Sequence, residues 1–206
     1  MKKIFACAVV IASMSFASLA SAGPNLVTNG GFDGSAGWTS HGFSFYSAGD
    51  IQGHSGVTLA YTTCVGSGCA STLGQGARFG QNVQTVAGSK YDLSFWVAEN
   101  GPATSAFSLF WNGALVELVT NPANNTVHLN STTGTYDVAW KEFSFQGLVA
   151  TASSTSFEIH GRHDPAAILF DDISVVEVAA SDVPEPTSVA LLGIGALALM
   201  RRRARK

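Results

Sequence analysis

Residues 87–98 read AGSKYDLSFWVA, and this stretch decides the fold class of the chain. Tyr91, Leu93, Phe95 and Val97 share one face of an extended backbone, whereas the residues between them point to the opposite face. A repeat of two residues with one apolar face predicts a β-strand that is half buried against a core.

The same alternation occurs on both sides of an Asn-Gly pair. Phe107, Leu109 and Trp111 precede Asn112-Gly113, and residues 114–119 return as a partner strand. Because Asn and Gly accept the backbone angles of tight hairpin turns, the pattern predicts a β-hairpin.

Further strands are predicted over 136–145, 157–160 and 167–178, and no convincing amphipathic helix occurs between 23 and 182. The polar segment HGRHD at 160–164 is interpreted as a solvated turn, with a metal site as the less favoured alternative. Short strands separated by frequent turn signals predict an all-β sandwich.

Charge is distributed very unevenly along the 206 residues. Residues 23–182 contain 13 of the 14 acidic residues but only four of the 11 basic ones, so this region carries a net charge of about −9. Such a region repels phosphate backbones, and we expect no nucleic-acid binding. An acidic surface is compatible with solubility outside a cell or with a bound divalent cation.

The first 22 residues have the organisation of a secretion signal. Lys2 and Lys3 precede an uncharged run of apolar and small residues over 4–20, and Ala20-Ser21-Ala22 is a small-x-small cleavage site. We therefore expect cleavage by signal peptidase near Gly23 and export across the inner membrane. A retained membrane anchor is the less favoured alternative.

Two cysteines remain after the signal. Cys64 and Cys69 flank Val-Gly-Ser-Gly, and in an oxidising compartment this spacing predicts a local disulfide that shapes a loop. A metal site would need further ligands, and the nearby sequence contains no other cysteine and no histidine.

The C-terminus has three consecutive parts. Val183-Pro184-Glu185-Pro186 is followed by an apolar stretch at 187–200 and then by five cations in the last six residues, among them Arg201, Arg202 and Arg203. Fourteen residues span about 21 Å as a helix, which is short for a hydrocarbon core of about 30 Å. The terminal position and the arginines nevertheless indicate a membrane segment with a cytoplasmic basic end.

This order of parts resembles the PEP-CTERM sorting signal of Gram-negative bacteria. The resemblance implies recognition of Pro184-Glu185-Pro186 by an exosortase, a transient inner-membrane intermediate, and delivery to the cell surface or matrix, often with exopolysaccharide. A chance proline-rich linker before a plain tail anchor is the alternative. The predicted organisation is a signal peptide at 1–22, a β-sandwich at 23–180 and a sorting tail at 181–206.

The ends of the central domain resemble those of galactose-binding-like jelly rolls, which include family 4 and family 9 carbohydrate-binding modules. The resemblance rests on NLVTNGGFD at 25–33 with Gly37-Trp38, on residues 84–97, and on ILFDDISV at 168–175. In those modules acidic residues of the opening and closing segments often hold a structural calcium, which implies Asp33 and Asp171 as ligands, with Asp172 beside them. Solvated carboxylates at strand ends are the alternative interpretation.

No nucleophile, zinc-protease or nucleotide-binding motif occurs in the sequence, so we expect no enzyme activity. Aromatic side chains are the remaining candidates for a ligand site. The resemblance implies sugar contacts at Phe43 and Tyr46, Trp111 is a further candidate, and a place in the core is the alternative for each of them. The favoured function is non-catalytic polysaccharide binding at the cell surface. A structural biofilm protein without a small ligand is the alternative, and a hydrolase is the least favoured.

Overall fold

Alternating sequence patterns become β-strands throughout the part of the chain that the structure describes. The computed structural model describes residues 23–47, 51–63, 77–101, 104–123, 126–132, 135–164 and 166–179. Within these ranges every regular element is a strand. The same ranges contain no helix of sufficient length and apolarity to cross a membrane.

The twelve strands follow one another along residues 39–177. They are β1 Thr39–His41, β2 Ser44–Ser47, β3 Thr58–Thr62, β4 Ala77–Gln84, β5 Lys90–Asn100, β6 Thr104–Trp111, β7 Ala114–Thr120, β8 Val127–Asn130, β9 Thr135–Val138, β10 Lys141–Val149, β11 Ser154–Asp164 and β12 Ala167–Glu177.

Two sheets pack face to face. The five-stranded sheet has the order β1-β4-β11-β6-β7, and the seven-stranded sheet has the order β2-β3-β12-β5-β8-β9, with β10 also paired to β5. All pairings are antiparallel except that of β5 with β8. The prediction of an all-β sandwich is confirmed, and residues 22–178 form one compact unit.

The stretch at 87–98 contributes the central strand of the larger sheet. Tyr91, Leu93, Phe95 and Val97 are each at most 1% exposed and belong to the core between the sheets. β5 pairs with β12 along one side and with β10 along most of the other, so both of its edges are covered. Its central position explains why the alternation is so regular.

The predicted hairpin connects β6 to β7. Asn112 and Gly113 adopt φ values of 51° and 76°, the left-handed angles that a two-residue hairpin turn requires at both positions. Trp111, just before the turn, is 5% exposed, and its indole N–H donates to the carbonyl of Val149 at 2.9 Å.

Two segments differ from the sequence prediction. Residues 160–164 continue strand β11 rather than forming a turn, because each of them pairs with β6 on one side. The segment 136–145 is divided between β9 and β10. These two strands pair with different neighbours, β8 and β5, so a single straight strand is excluded.

A second apolar cluster lies on the outer face of the seven-stranded sheet. Leu59, Ala98 and Leu169 alternate with core residues along their strands and point away from the main core. Together with Val127 of β8 they are at most 3% exposed, and partly buried aromatic residues, including Trp140, pack around them. The part of this face that lies around Leu59, Ala98 and Leu169 is therefore closed to solvent.

Several predicted features lie outside the described residues. These are the signal at 1–22, the Cys64–Cys69 loop, and the tail from 180 to 206 with its sorting motif, apolar segment and basic end. The predicted disulfide and the membrane segment stay predictions.

Candidate functional site

A β-bulge in β12 places two carboxylates side by side. Asp171 pairs with Trp96 and Ser174 with Ser94, so Asp172 and Ile173 lie opposite a single residue of β5. Asp172 has a φ of 50°, a left-handed angle that a non-glycine residue seldom adopts. The bulge reverses the phase of the strand and turns both aspartates out of the core.

Asp171 has no exposed surface, although it carries an ionisable group. Its carboxylate accepts hydrogen bonds from the amides of Ser55, at 3.1 Å, and Asp172, at 2.7 Å. Burial raises the pKa of Asp171 to about 7, and the neighbouring Asp172 charge acts in the same direction, while the amide hydrogen bonds oppose both effects. The site therefore favours either a proton or a cation at this carboxylate.

Oxygen atoms converge beside Gly53. A Cβ atom built on Gly53 would lie 2.4 Å from the carbonyl oxygen of Thr58, 2.7 Å from Asp171 Oδ2 and 2.8 Å from the carbonyl oxygen of Ser55. The absence of a side chain keeps this cradle open. Carboxylate and carbonyl oxygens are the ligands that calcium prefers.

Asp33 is connected to the same cluster through one hydroxyl. Thr58 Oγ1 lies 3.0 Å from the carbonyl oxygen of Gly31 and 3.2 Å from Asp33 Oδ1. The structure thus brings the opening and closing segments together around Thr58. Within the described ranges, no three side chains of the His, Cys, Asp and Glu types group closely enough to hold a metal by themselves, so backbone carbonyls would have to complete the ligand set.

His54 is a further member of this cluster, and the sequence patterns gave no indication of it. Its Nδ1 lies 2.6 Å from Asp172 Oδ2, and its ring stacks on Trp96 with centroids 3.8 Å apart. Ser55 Oγ donates to the other oxygen of Asp172. Because His54 and Asp172 are 118 residues apart, no local pattern could have connected them.

A groove of about 480 Å³ lies on the outer face of the five-stranded sheet. Gly80 forms part of its floor, between Thr39 on β1 and Glu158 on β11. A Cβ atom on Gly80 would lie 2.2 Å from the Phe157 carbonyl oxygen, so only glycine fits without a shift of the backbone. Polar side chains from β4 and β11, including Asn82, line the groove.

An adjoining hollow of about 380 Å³ continues the groove toward β6. Arg78, Ser156 and Glu158 line both depressions, and Phe110 and His160 line the second. The rings of Phe110 and His160 lie with centroids 4.6 Å apart. Alternation along β6 places Phe110 on this outer face, because Leu109 and Trp111 point into the core.

The aromatic residues predicted to contact sugar lie elsewhere. Phe43 is 8% exposed and packs against Phe79 and Phe170, and Gly161 leaves the space that its ring occupies. Trp111 is also a core residue. Burial leaves neither ring an open face for stacking, so both have a packing role. Tyr46 lies in β2, but its side chain is outside the described part of the structure.

Comparison with family models identifies the tail. Residues 182–206 match the PEP-CTERM protein-sorting motif, which contains Pro184-Glu185-Pro186 and the basic end. The motif implies exosortase processing and a location at the cell surface or outside the cell. No protein in the curated set matches the chain by sequence.

Solved structures share the architecture of the central domain. A family 61 carbohydrate-binding module, determined in complex with β-1,4-galactotriose, aligns with a TM-score of 0.52 and 14% identity over 75% of this chain and 99% of that one. A family 22 xylan-binding domain from Paenibacillus barcinonensis aligns with a TM-score of 0.48 and 18% identity, over 79% and 100% of the two chains. A family 4 module aligns with a TM-score of 0.46 and 19% identity, over 73% of this chain and 99% of that one.

The predicted resemblance is confirmed at both levels, the tail and the fold. Identities this low report the fold of the domain and nothing finer about its ligand. In sequence, a β-sandwich with a fold similar to that of a family 61 carbohydrate-binding module is followed by a PEP-CTERM protein-sorting motif at 182–206.

Proposed function

We propose that this chain is an exported, non-enzymatic surface or matrix protein that binds polysaccharide in the open groove of the five-stranded sheet. The observation that supports this most is the groove itself. Arg78, Ser156 and Glu158 line both of its depressions, Asn82 lines the first and Phe110 lines the second. Sugars expose hydroxyl groups around an apolar ring face, so a glycan site combines hydrogen-bonding side chains with an aromatic surface.

A binding panel tests the proposal. The purified full-length chain is incubated with insoluble or immobilised polysaccharides, both neutral and acidic, and depletion from solution is measured. We expect binding to at least one of them. Failure with every member of a broad panel would refute glycan binding and favour the alternative, a structural spacer without a small ligand.

A blocked groove then locates the site. Ser156→Tyr places a bulky ring between the two depressions, and we expect it to abolish binding without lowering the melting temperature. Ser144→Tyr is the matched control, because Ser144 is an exposed residue of β10 in the other sheet. Equal loss of binding in both variants would argue against the groove.

The export route is the second part of the proposal. Signal peptidase releases the chain near Gly23, the segment at 187–200 holds it briefly in the inner membrane with Arg201 to Arg203 in the cytoplasm, and an exosortase acts at the Pro-Glu-Pro element. Replacing Pro184-Glu185-Pro186 by three alanines should leave unprocessed chain in the inner membrane. Unchanged delivery to the surface would contradict this route.

A structural calcium is the third part. The Asp171 carboxylate and the carbonyl oxygens of Ser55 and Thr58 would hold the ion, with Asp33 beside them. Bound calcium would neutralise the buried carboxylate and tie the opening segment to β12. The chain itself contributes the bulge, the open position at Gly53 and the hydrogen bonds that orient the aspartates.

Calcium removal tests this assignment. A ligand at 100 times its Kd stabilises the folded state by about 2.7 kcal/mol, so the melting temperature of the full-length chain should fall when EGTA replaces calcium. Asp171→Asn should abolish the calcium-dependent shift. Glu177→Gln, which removes an exposed carboxylate from the same strand, should retain it. If the melting temperature of the wild-type chain is the same with calcium and with EGTA, the calcium site is refuted.

A further inference from the structure

Among the basic side chains of the domain, Arg78 is the one that lines both depressions of the groove described above. Residues 23–182 contain only four, Arg78, Lys90, Lys141 and Arg162. Arg162 forms an ion pair with Asp164, and Lys141 donates to the Pro122 carbonyl at 2.9 Å and lies 4.9 Å from the centre of the Phe143 ring. In the described part of the chain, Arg78 makes neither an ion pair nor a hydrogen bond through its guanidinium group, although it lines the groove.

Two histidines flank Arg78 across the sheet. His41 of β1 and His160 of β11 are both direct register partners of Arg78, so the three side chains form a row on neighbouring strands. Adjacent strands are about 4.8 Å apart, which places the three residues side by side. We call these residues the basic row.

The carboxylate nearest to this row is already engaged. Among the described residues, Glu158 is the single acidic side chain lining either depression, and its Oε2 lies 3.0 Å from His160 Nε2. No described carboxylate pairs with Arg78, although the domain around it is strongly acidic. A groove in which a guanidinium group has no ion-pair partner is suited to a ligand that carries an anionic group.

We propose that the groove recognises an acidic polysaccharide through the carboxylate of a uronic acid residue. Arg78 binds this carboxylate, and Phe110 packs on a neighbouring sugar ring of the same chain. The inference rests on the glycan binding proposed above and specifies its substrate class.

Three physical points support recognition of a uronate here: the chemistry of the guanidinium group, the distance from Arg78 to Phe110, and the screening of the domain's charge by salt. The guanidinium presents a planar pair of N–H donors that matches a carboxylate in a bidentate geometry, and such charge-assisted bonds are about twice as strong as neutral ones. Arg78 and Phe110 are two strands apart and offset by two residues along the strands, a separation of about 12 Å, so one extended glycan can reach both. The net charge of the domain repels anions at a distance, but salt screens that repulsion beyond about 8 Å and leaves direct contacts effective.

The test compares ligands that differ only in the carboxylate charge. Binding of the full-length chain is measured with polygalacturonate and alginate, and with ester derivatives of each in which the carboxyl groups are blocked. We expect at least one acidic form to bind about tenfold more tightly than its ester, which corresponds to about 1.4 kcal/mol. Equal affinity for the acid and ester forms would overturn the inference and leave glycan binding intact.

Variants assign the discrimination to Arg78. Arg78→Gln should reduce the ratio of the affinities for the acid and the ester to less than about twofold, with an unchanged melting temperature. Lys90→Gln, which removes the same charge from outside the groove, should keep the full preference. If both variants lose the preference equally, the effect is one of net charge and the assignment to Arg78 is wrong.

Two further comparisons distinguish a uronate site from a sulfate site and from a neutral one. Dextran sulfate and dextran form a second matched pair, and binding of dextran sulfate without any uronate would replace the carboxylate by a sulfate and overturn the proposal. Binding of neutral polysaccharides alone would do the same. Absence of binding to any acidic or neutral polysaccharide would instead refute the proposed function on which the inference depends.

Discussion

The two outer faces of this sandwich are built on the same alternating strand pattern but differ in how exposed their side chains are. On the seven-stranded sheet, Leu59, Ala98 and Leu169 are at most 1% exposed beneath a second apolar cluster. On the five-stranded sheet, the outward positions of β4 and β11 carry polar side chains around Gly80 and line an open groove. Alternation fixes which residues leave the core, and their chemistry together with the covering strands decides whether a site can exist there.

The side chains of β8 and β9 explain the difference in exposure between the two faces. β8 and β9 contribute Val127, Tyr136 and Val138 to the second cluster on the larger sheet. The smaller sheet ends at β7, whose residues are mostly exposed, and has no comparable cover in the described ranges. A closed face is expected to carry stability, whereas an open face is expected to carry binding.

The largest effect should come from truncating the closed face. Leu169→Ala removes a side chain that is 1% exposed, and burial of this kind typically stabilises a fold by about 2–5 kcal/mol relative to alanine. Chemical denaturation should show a loss in this range while the folded variant binds polysaccharide normally. A loss below about 0.5 kcal/mol would show that the second cluster is loosely packed and that this face contributes little to stability.

Gly80 should be the exception on the open face. Gly80→Ala brings a Cβ atom to 2.2 Å from a backbone oxygen, and overpacking of this kind costs about 1–3 kcal/mol. We expect a lower denaturation midpoint together with weaker glycan binding. Asn82→Ala on the same strand is the control, since Asn82 is exposed and should leave stability unchanged. A stable Gly80→Ala variant would mean that β4 and β11 can separate locally.

Phe110→Ala should affect binding more than folding. Phe110 is only partly buried and has a ring surface beside the groove, and aromatic contacts of this kind contribute about 0.5–1.5 kcal/mol. Titration with the preferred polysaccharide should show up to about tenfold weaker affinity. Leu129→Ala is a suitable control, because Leu129 is 60% exposed on the other sheet. Unchanged affinity would remove Phe110 from the site.

The smallest effect is expected at Leu118. It is 38% exposed on β7, so Leu118→Ala should change the free energy of unfolding by no more than about 0.5 kcal/mol. Leu118 and Leu169 form a matched pair of identical side chains on opposite faces. Similar losses at both positions would show that β7 is covered in solution, by a second copy or by another molecule.

The sequence predicts what depends on local repeats. The strand containing Tyr91 and Phe95, the hairpin at Asn112-Gly113 and the sandwich class all follow from a period of two and from turn chemistry. The turn predicted at 160–164 is wrong because glycine and charged residues favour turns only on average. There Gly161 instead makes room for the ring of Phe43, and pairing with β4 and β6 holds the strand together.

The candidate sites were only partly predictable. The resemblance implied that Asp33 and Asp171 lie near each other. In the structure Asp33 accepts a hydrogen bond from the Thr58 hydroxyl, and Asp171 and the Thr58 carbonyl oxygen both lie beside Gly53. The groove could not be found in advance, because its lining comes from strands far apart in sequence, and only the register brings His41, Arg78 and His160 into one row. Phe43 and Trp111 were predicted to contact sugar, but in the structure both belong to the hydrophobic core.

The bulge in β12 also determines how the chain tolerates a change in length. Ile168 and Phe170 face the core before the bulge, and Ile173 and Val175 face it afterwards, so the inward positions change from even to odd numbers. A deletion of Asp172 alone would leave Ile173 opposite Phe95 and restore an unbroken alternation. Most single-residue deletions inside a strand would turn its far half inside out. This one would remove a carboxylate and leave the hydrophobic phase of the closing strand intact.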